Sequence, residues 1–319
     1  VTTEHGSFDT PVLAVAAQTG SLSGLTPNEV RSLGVELVAL STYQLLVRPG
    51  AEWLGRHGGI HQLLAWPGPV LLGGDWPPAR SWAAGQAPRI TRADANGFTI
   101  TSFVDGQALR ITPELAMEAQ EAMGADLVSA PAPLGRRAPE HTLAWMWRAA
   151  EAHAGMRSAL FATLPSGLPA AVVADLSGLP FTGAEVSADI LARVRSLLPS
   201  SWARQLTEPL RRSELRFAIE AGADLLSCVE PIDLALAGRA YLGSTDQVLD
   251  LGSSAVDDPA PLDAACGCST CAGGFNRGTL AHLVACQELL APTLLTLHNV
   301  HVVQAEFAAL RASLSPRVS

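Results

Sequence analysis

Cys266-Gly-Cys268-Ser-Thr-Cys271, followed by a helix-like run and then His298, brings three thiols and an imidazole together as a complete tetrahedral donor set for Zn²⁺. One residue separates Cys266 from Cys268 and two more separate Cys268 from Cys271, so a single tight loop can wrap three ligands around one ion. The fourth ligand comes from far along the chain, so the metal would staple that loop to a later helix. Four protein ligands leave no open position for water, which makes such a zinc structural. The competing reading is three buried thiols in a reduced protein; the Gly-rich, sparsely apolar segment around them speaks against it. Five cysteines with three in one cluster fit a reducing compartment and a metal better than a disulfide framework.

The elements that must carry this motif are legible as short apolar runs separated by helical or glycine-rich stretches. Val35–Ser41, Gly68–Gly74, Ala125–Ala130, Ala159–Leu164, Ala170–Leu176 and Ala223–Val229 read as buried strands, continuously apolar as in a sheet covered on both faces. Thr112 with Pro113 at the first helical position starts a helix that runs to Met123. Further helices are expected near 142–155, 208–221, 278–290 and 303–314. Two segments, AQEAMGADLVS and AIEAGADLLSC, repeat one pattern of helix end, Gly, Ala-Asp and strand, with Gly124 and Gly222 closing the helices. Repeated αβ joints over 319 residues predict an α/β protein, a (β/α)8 barrel, with a doubly wound sheet as runner-up. Asn96-Gly97 marks a hairpin decorating it. The loop-rich stretch from Tyr241 suits a small metal-held insertion over about 241–299, within a single domain spanning 1–319.

Composition limits the partners. A net charge of −9 and no basic run give no footprint for counterion release from nucleic acid, and 48% hydrophobic residues describe a compact chain. No run of 18 apolar residues occurs, so no membrane span is expected, and the N-terminal residues predict no secretory signal. The expected location is the cytoplasm.

These residues resemble the tRNA-guanine transglycosylase family, enzymes that exchange a guanine in tRNA for a 7-deazaguanine base. The resemblance runs through TPVLAVAAQTGSLSGLTPNEV (10–30), LSTYQLLVRPG (40–50), GGIHQLLAWPGPVLL (58–72), SFVDGQALRITPELAMEAQ (102–120) and the zinc segment 266–299. It implies a TIM barrel with an inserted zinc subdomain, dimerisation through that region, and His298 rather than His282 as the fourth zinc ligand. Asn299 is expected to hold the local backbone or support the ligand.

At the chemical positions the resemblance breaks. Active members carry an Asp in a DSGGFQ-like motif after an early strand; here Gly73 matches it, with Asp75 two residues on beside Trp76-Pro77-Pro78. The nucleophilic Asp of an FDCV-like strand is matched by Ser227, in Leu226-Ser227-Cys228-Val229. The purine-reading Asp falls on Ala132, in Pro131-Ala132-Pro133-Leu134. The GxxQGG loop falls near 162–170 without its Gln, and the GGLxxGE loop survives in part as 177–185. A Pro-Thr-Arg becomes Pro231-Ile232-Asp233, reversing the sign of a phosphate contact. Base exchange needs a carboxylate to carry the ribosyl group as an ester-like intermediate, and a serine hydroxyl ionises far above neutrality. Asp224 begins its strand and points to the end of the barrel opposite the chemistry.

The expectation is a catalytically silent relative that pairs with itself or with an active transglycosylase, tRNA being a candidate partner through that association. Two alternatives stand beside it. One is an enzyme with a remodelled pocket using Asp75, Asp105, Ser227 or Glu230 on another N-glycoside. The other is a zinc-stabilised scaffold unrelated to tRNA. His61 and Tyr43 are expected around the barrel mouth, Trp66, Trp145 and Trp147 in the core or an interface, and Cys228 and Cys286 as buried thiols. Arg48, Arg148 and Arg277 match positions common in the family, where pairing with acidic neighbours would also explain them.

Overall fold

A computed structural model describes the chain apart from residues 18–19, 22–23, 74–88, 103, 135–136, 244–246, 254–256 and 315–319. Eight parallel strands close into a barrel in which each strand lies beside its neighbour in sequence. They are β1 (Val12–Ala16), β2 (Val38–Ser41), β3 (Val70–Gly73), β4 (Leu127–Ala130), β5 (Ala159–Leu164), β6 (Gly183–Val186), β7 (Ala203–Leu206) and β8 (Leu225–Cys228). The (β/α)8 barrel expected from the αβ joints is therefore the fold.

Helix α1 (Pro113–Met123) begins at the expected Thr112, whose hydroxyl accepts from Leu115 N–H, and Gly124 closes it in the left-handed region at φ 72°. Only glycine takes that conformation without strain. Helix α2 (Ala138–Ala152) follows β4. The expected strand at Ala170–Leu176 is instead helix α3 (Ala170–Leu176), entered through Pro169. A short apolar run alone does not separate strand from helix. Here β5 ends only a few residues earlier, and the chain must return along the outside before β6 can pair parallel to it.

Within the barrel, side chains alternate inward and outward along each strand. Phe8, Val12, Ala14, Leu37, Leu71, Leu127, Phe161 and Leu225 form one buried cluster. Phe161 fills the space in front of Gly183, where an added Cβ would sit 2.3 Å from the ring. Two residues further along, the alternation of strands β2 to β8 places Ser41, Gly73, Ser129, Thr163, Glu185, Gln205 and Ser227, most of them polar, while β1 carries Ala16. This layer is at the C-terminal ends of the strands, where barrel chemistry gathers.

The predicted Asn96-Gly97 hairpin is part of a three-stranded antiparallel sheet (Arg89–Asp94, Gly97–Thr101, Ala108–Ile111). Asp94 Oδ1 accepts from Asn96 and Gly97 N–H, and Trp145 Nε1 of α2 donates to Ala95 O at 2.7 Å.

The chain divides into two compact units. The first comprises Val1–Gly20, Glu36–Pro209 and Phe217–Ser227; the second comprises Ser21–Val35, Leu210–Arg216 and Cys228–Ser319. In the second, α4 (Glu230–Leu236), α5 (Arg277–Ala285) and the 24-residue α6 (Leu290–Ser313) surround a core of Ala235, Ala240, Leu251, Leu262, Leu280 and Leu295. The separate helices expected at 278–290 and 303–314 become α5 and the far longer α6. Among the described residues, no helix is long and apolar enough to cross a membrane.

Candidate zinc centre and barrel mouth

Cys268 is the N-cap of a one-turn helix, Ser269–Ala272, and its Sγ accepts from Cys271 N–H at 3.4 Å. That turn brings Cys266, Cys268 and Cys271 onto one side of a loop facing α6. His298 on α6 is fully buried, and its Nδ1 lies 3.6, 3.5 and 3.4 Å from the three sulfurs. Zn–S bonds of about 2.3 Å and a Zn–N bond of about 2.0 Å at tetrahedral angles require S···N edges of about 3.5 Å. The donor set thus has the size of a zinc tetrahedron, and these four residues form a Cys3His zinc site.

His298 Nε2 donates to Tyr241 O at 3.0 Å, which leaves the Nδ1 lone pair for the metal. The neighbouring Asn299 is fully buried and spends its whole amide on backbone. Its Oδ1 accepts from Tyr241 N–H, and its Nδ2 donates to Pro231 O and Arg239 O. Both expected roles of Asn299 are met at once, because the carbonyl that orients His298 belongs to the residue whose N–H Asn299 holds. Thr270 Oγ1 donates to Leu294 O at 2.7 Å, tying the cysteine turn to α6 a second time. Hydrogen bonds from Cys271 and His298 draw the Cys268 thiol below its ordinary range, whereas burial raises Cys266. Binding of a metal releases the protons the thiols still hold. His282 stands apart from this set, beside Cys286 at 3.7 Å. Cys286 is exposed at the end of α5, not buried as expected; Cys228 is buried.

At the barrel mouth the inferred chemical positions hold no carboxylate. Gly73 ends β3, and a Cβ built there would meet nothing closer than Gln205 Nε2 at 3.8 Å, so the backbone accepts a side chain. Ser227 faces inward on β8 and is half-buried. Ala132 is buried just beyond β4. Asp75, with Trp76, Pro77 and Pro78, lies outside the described residues.

The other candidate acids are committed elsewhere. Asp105 caps its own turn, accepting from Gln107 N–H at 3.1 Å, and a hydrogen bond from Ser102 draws its carboxyl below the usual range. Glu230 Oε2 accepts from Tyr241 OH at 2.9 Å and from Arg212 N–H at 2.8 Å. Asp224 Oδ2 accepts from Arg204 N–H and pairs with its guanidinium at 3.1 Å, at the N-terminal end of β8 as expected. Arg148 is bidentate to Glu114, and Arg277 pairs with Asp258 at 3.6 Å. Tyr43 is fully buried, Trp66 and Trp145 lie in the core, and Trp147 is exposed.

Two expectations are corrected. Residues 177–185 are not a loop remnant: they form the turn before β6 and the strand itself, so Glu185 is a buried, inward strand residue. His61 is not at the mouth. It joins His5 and Asp126 at the opposite end, because Asp126 directly precedes β4 in the repeated joint. His5 Nδ1 lies 2.9 Å from one carboxylate oxygen and His61 Nε2 lies 3.2 Å from the other, while Val70 N–H donates to that second oxygen. The two imidazoles stack at 3.6 Å with 21° between their planes. An ion cannot lie in both ring planes in that arrangement, so the group acts as a hydrogen-bonded clamp. Burial would raise the Asp126 carboxyl, but hydrogen bonds from His61, His5 and Val70 outweigh it and hold it at about 2.

An eight-stranded parallel barrel accompanied by a Cys3His zinc unit defines the structural class of this chain. A family profile described as Queuine tRNA-ribosyltransferase (TGT) matches residues 1–316. The queuine tRNA-ribosyltransferase of Gloeobacter violaceus is 33% identical over 340 residues, covering 98% of this chain and 88% of that protein. Those of Stenotrophomonas maltophilia and Xanthomonas euvesicatoria pv. vesicatoria are 31% and 30% identical, covering 98% and 99% of this chain and 89% and 88% of theirs. The chain belongs to the queuine tRNA-ribosyltransferase family.

Proposed function

We propose that this family member does not exchange bases itself and acts as an accessory subunit in queuosine-type tRNA modification. It would pair with itself or with an active transglycosylase in the cytoplasm and meet tRNA through that partner. The observation that carries this reading is the inward face of β3 and β8, where Gly73 and Ser227 stand at the positions matched to general base and nucleophile. A glycosyl intermediate needs an ionised oxygen in line with the breaking bond. Ser227 offers only a hydroxyl, and the chain contains no lysine to activate it. Asp105 caps a turn, Asp224 holds an ion pair and Glu230 accepts two hydrogen bonds, which argues against their recruitment as substitutes.

Retention of the complete zinc tetrahedron and its Asn299 brace supports a role that depends on the scaffold. The zinc would contribute a fixed loop-to-helix junction rather than Lewis-acid chemistry, since all four positions are protein ligands. The test is reconstitution. Mixed with an active family member, the zinc-loaded chain should co-elute in a dimer of defined stoichiometry and alter that enzyme's turnover on tRNA. Separate elution together with unchanged turnover would contradict the accessory role.

A further inference from the structure

Zinc ligand His298 and its neighbour Asn299 both hold the backbone of Tyr241, and the side chain of that tyrosine reaches a second cluster that contains no metal ligand. His298 Nε2 donates to Tyr241 O at 3.0 Å, and Tyr241 N–H donates to Asn299 Oδ1 at 3.0 Å. At the other end, the Tyr241 hydroxyl donates to Glu230 Oε2 at 2.9 Å, and Arg212 N–H donates to the same oxygen at 2.8 Å. The Arg212 guanidinium, on a residue only 3% exposed, lies over the Tyr241 ring at 4.9 Å. Its Nε donates to Glu306 Oε2 of α6, and its Nη2 donates to Gly243 O at 3.3 Å. Arg212 belongs to Leu210–Arg216, a stretch between β7 and β8 in chain order that is part of the second unit, as are all the other residues of this chain of contacts.

We propose that Tyr241 is a positioning residue that couples the zinc centre to this Arg212–Glu230 clasp, so that the hold on the metal and the hold on Leu210–Arg216 are one equilibrium. A metal at His298 Nδ1 fixes the ring proton on Nε2, which secures the hydrogen bond to Tyr241 O. That bond and the one to Asn299 pin the tyrosine backbone, and so set where its hydroxyl and ring meet Glu230 and Arg212. Coupling of this kind is reciprocal: what the metal contributes to the clasp, the clasp contributes to metal affinity. Arg212 suits the role because its planar fork serves Glu306, Gly243 and the ring at once, which a lysine cannot do. The inference concerns the zinc unit alone and is independent of whether bases are exchanged.

The experiment uses the full chain loaded with zinc or with cobalt, in which the visible absorption bands report the geometry of the ligand set. Tyr241→Phe keeps the ring and deletes the hydroxyl. It should shift the cobalt bands and weaken zinc about ten-fold in competition with a chromogenic chelator, as expected for loss of one hydrogen bond to a charged group. Glu230→Ala should do the same, and Glu230→Gln, which keeps an acceptor oxygen, should restore most of the affinity. Leu310→Ala truncates a buried residue of α6 outside the clasp and measures what general destabilisation costs; it should leave the cobalt bands in place. Unmoved cobalt bands in Tyr241→Phe would overturn the proposal. So would a zinc affinity that Leu310→Ala lowers as far as Tyr241→Phe does for the same loss of unfolding midpoint.

Discussion

The zinc centre and the barrel mouth sit on one chain and have fared differently. At the metal, every donor and its bracing are in place: three sulfurs at 3.4 to 3.6 Å from His298 Nδ1, and Asn299 bonded to three backbone groups. At the mouth, the positions that the sequence resemblance assigns to nucleophile, base and purine reader are Ser227, Gly73 and Ala132, the basis of the proposed silence, while a different carboxylate, Glu185, lies on β6. The contrast separates what a fold needs from what a reaction needs. A tetrahedral site fails when one ligand is lost, because its binding energy is part of folding. A barrel interior can exchange acids for small or neutral residues and still close, provided the apolar layers beneath stay packed.

Removing a zinc ligand should produce the largest effect. Cys271→Ser or His298→Ala should reduce bound zinc from one per chain to near zero and unfold the second unit, since structural zinc contributes about 10 kcal/mol or more. Metal analysis with circular dichroism reads the outcome, and a variant that lost zinc yet kept its helices would break the comparison on the metal side. Asn299→Ala comes next. It leaves Tyr241 N–H, Pro231 O and Arg239 O without their buried partner, a loss of about 3 kcal/mol in denaturant unfolding with slower-failing zinc retention.

How far the sequence reveals these two regions follows from the physics of each. Zinc ligands are legible because thiols at CxCxxC spacing have few other uses, and Asn299, which holds the backbone around the site, adjoins the fourth ligand. Strands β2 to β5 and β8 are expected from continuous apolar runs, and β1, Val-Leu-Ala-Val-Ala, carries the same signal although no strand is expected there. Strands β6, Gly-Ala-Glu-Val, and β7, Ala-Arg-Gln-Leu, are not legible in this way, because each carries a polar residue of the inward upper layer that interrupts the run. The same interruption hides Glu185 and Gln205 as inward-facing polar residues. Their signal is alternation: a Glu two residues after an inward Gly, and a Gln two after an inward Ala. Ala170–Leu176 misleads in the opposite direction, since an apolar helix that packs on a barrel resembles a buried strand when it is only two turns long.

The opposite end of the barrel offers a smaller test. The Asp126 carboxyl is held at about 2 in the folded chain, below its ordinary value of 3.8. Its folded pKa is depressed, so its stabilisation is present above about pH 4 and lost as pH falls towards 2, a contribution of about 2 kcal/mol. Asp126→Asn should lower the unfolding free energy at pH 7 by that order and flatten its dependence over the acid window. An unchanged acid profile would remove the clamp from the account. The smallest effect is expected for Ser227→Ala, which should move stability by less than about 0.5 kcal/mol. A large loss there would show that the hydroxyl has a structural or chemical duty the comparison denies it.

Guanine exchange on a single zinc-verified preparation tests the central claim most directly. Radiolabelled guanine is offered to the purified chain with tRNA, beside an active relative. The account predicts one zinc per chain and incorporation no greater than in a protein-free control. Zinc-replete protein that turns over guanine into tRNA would contradict it.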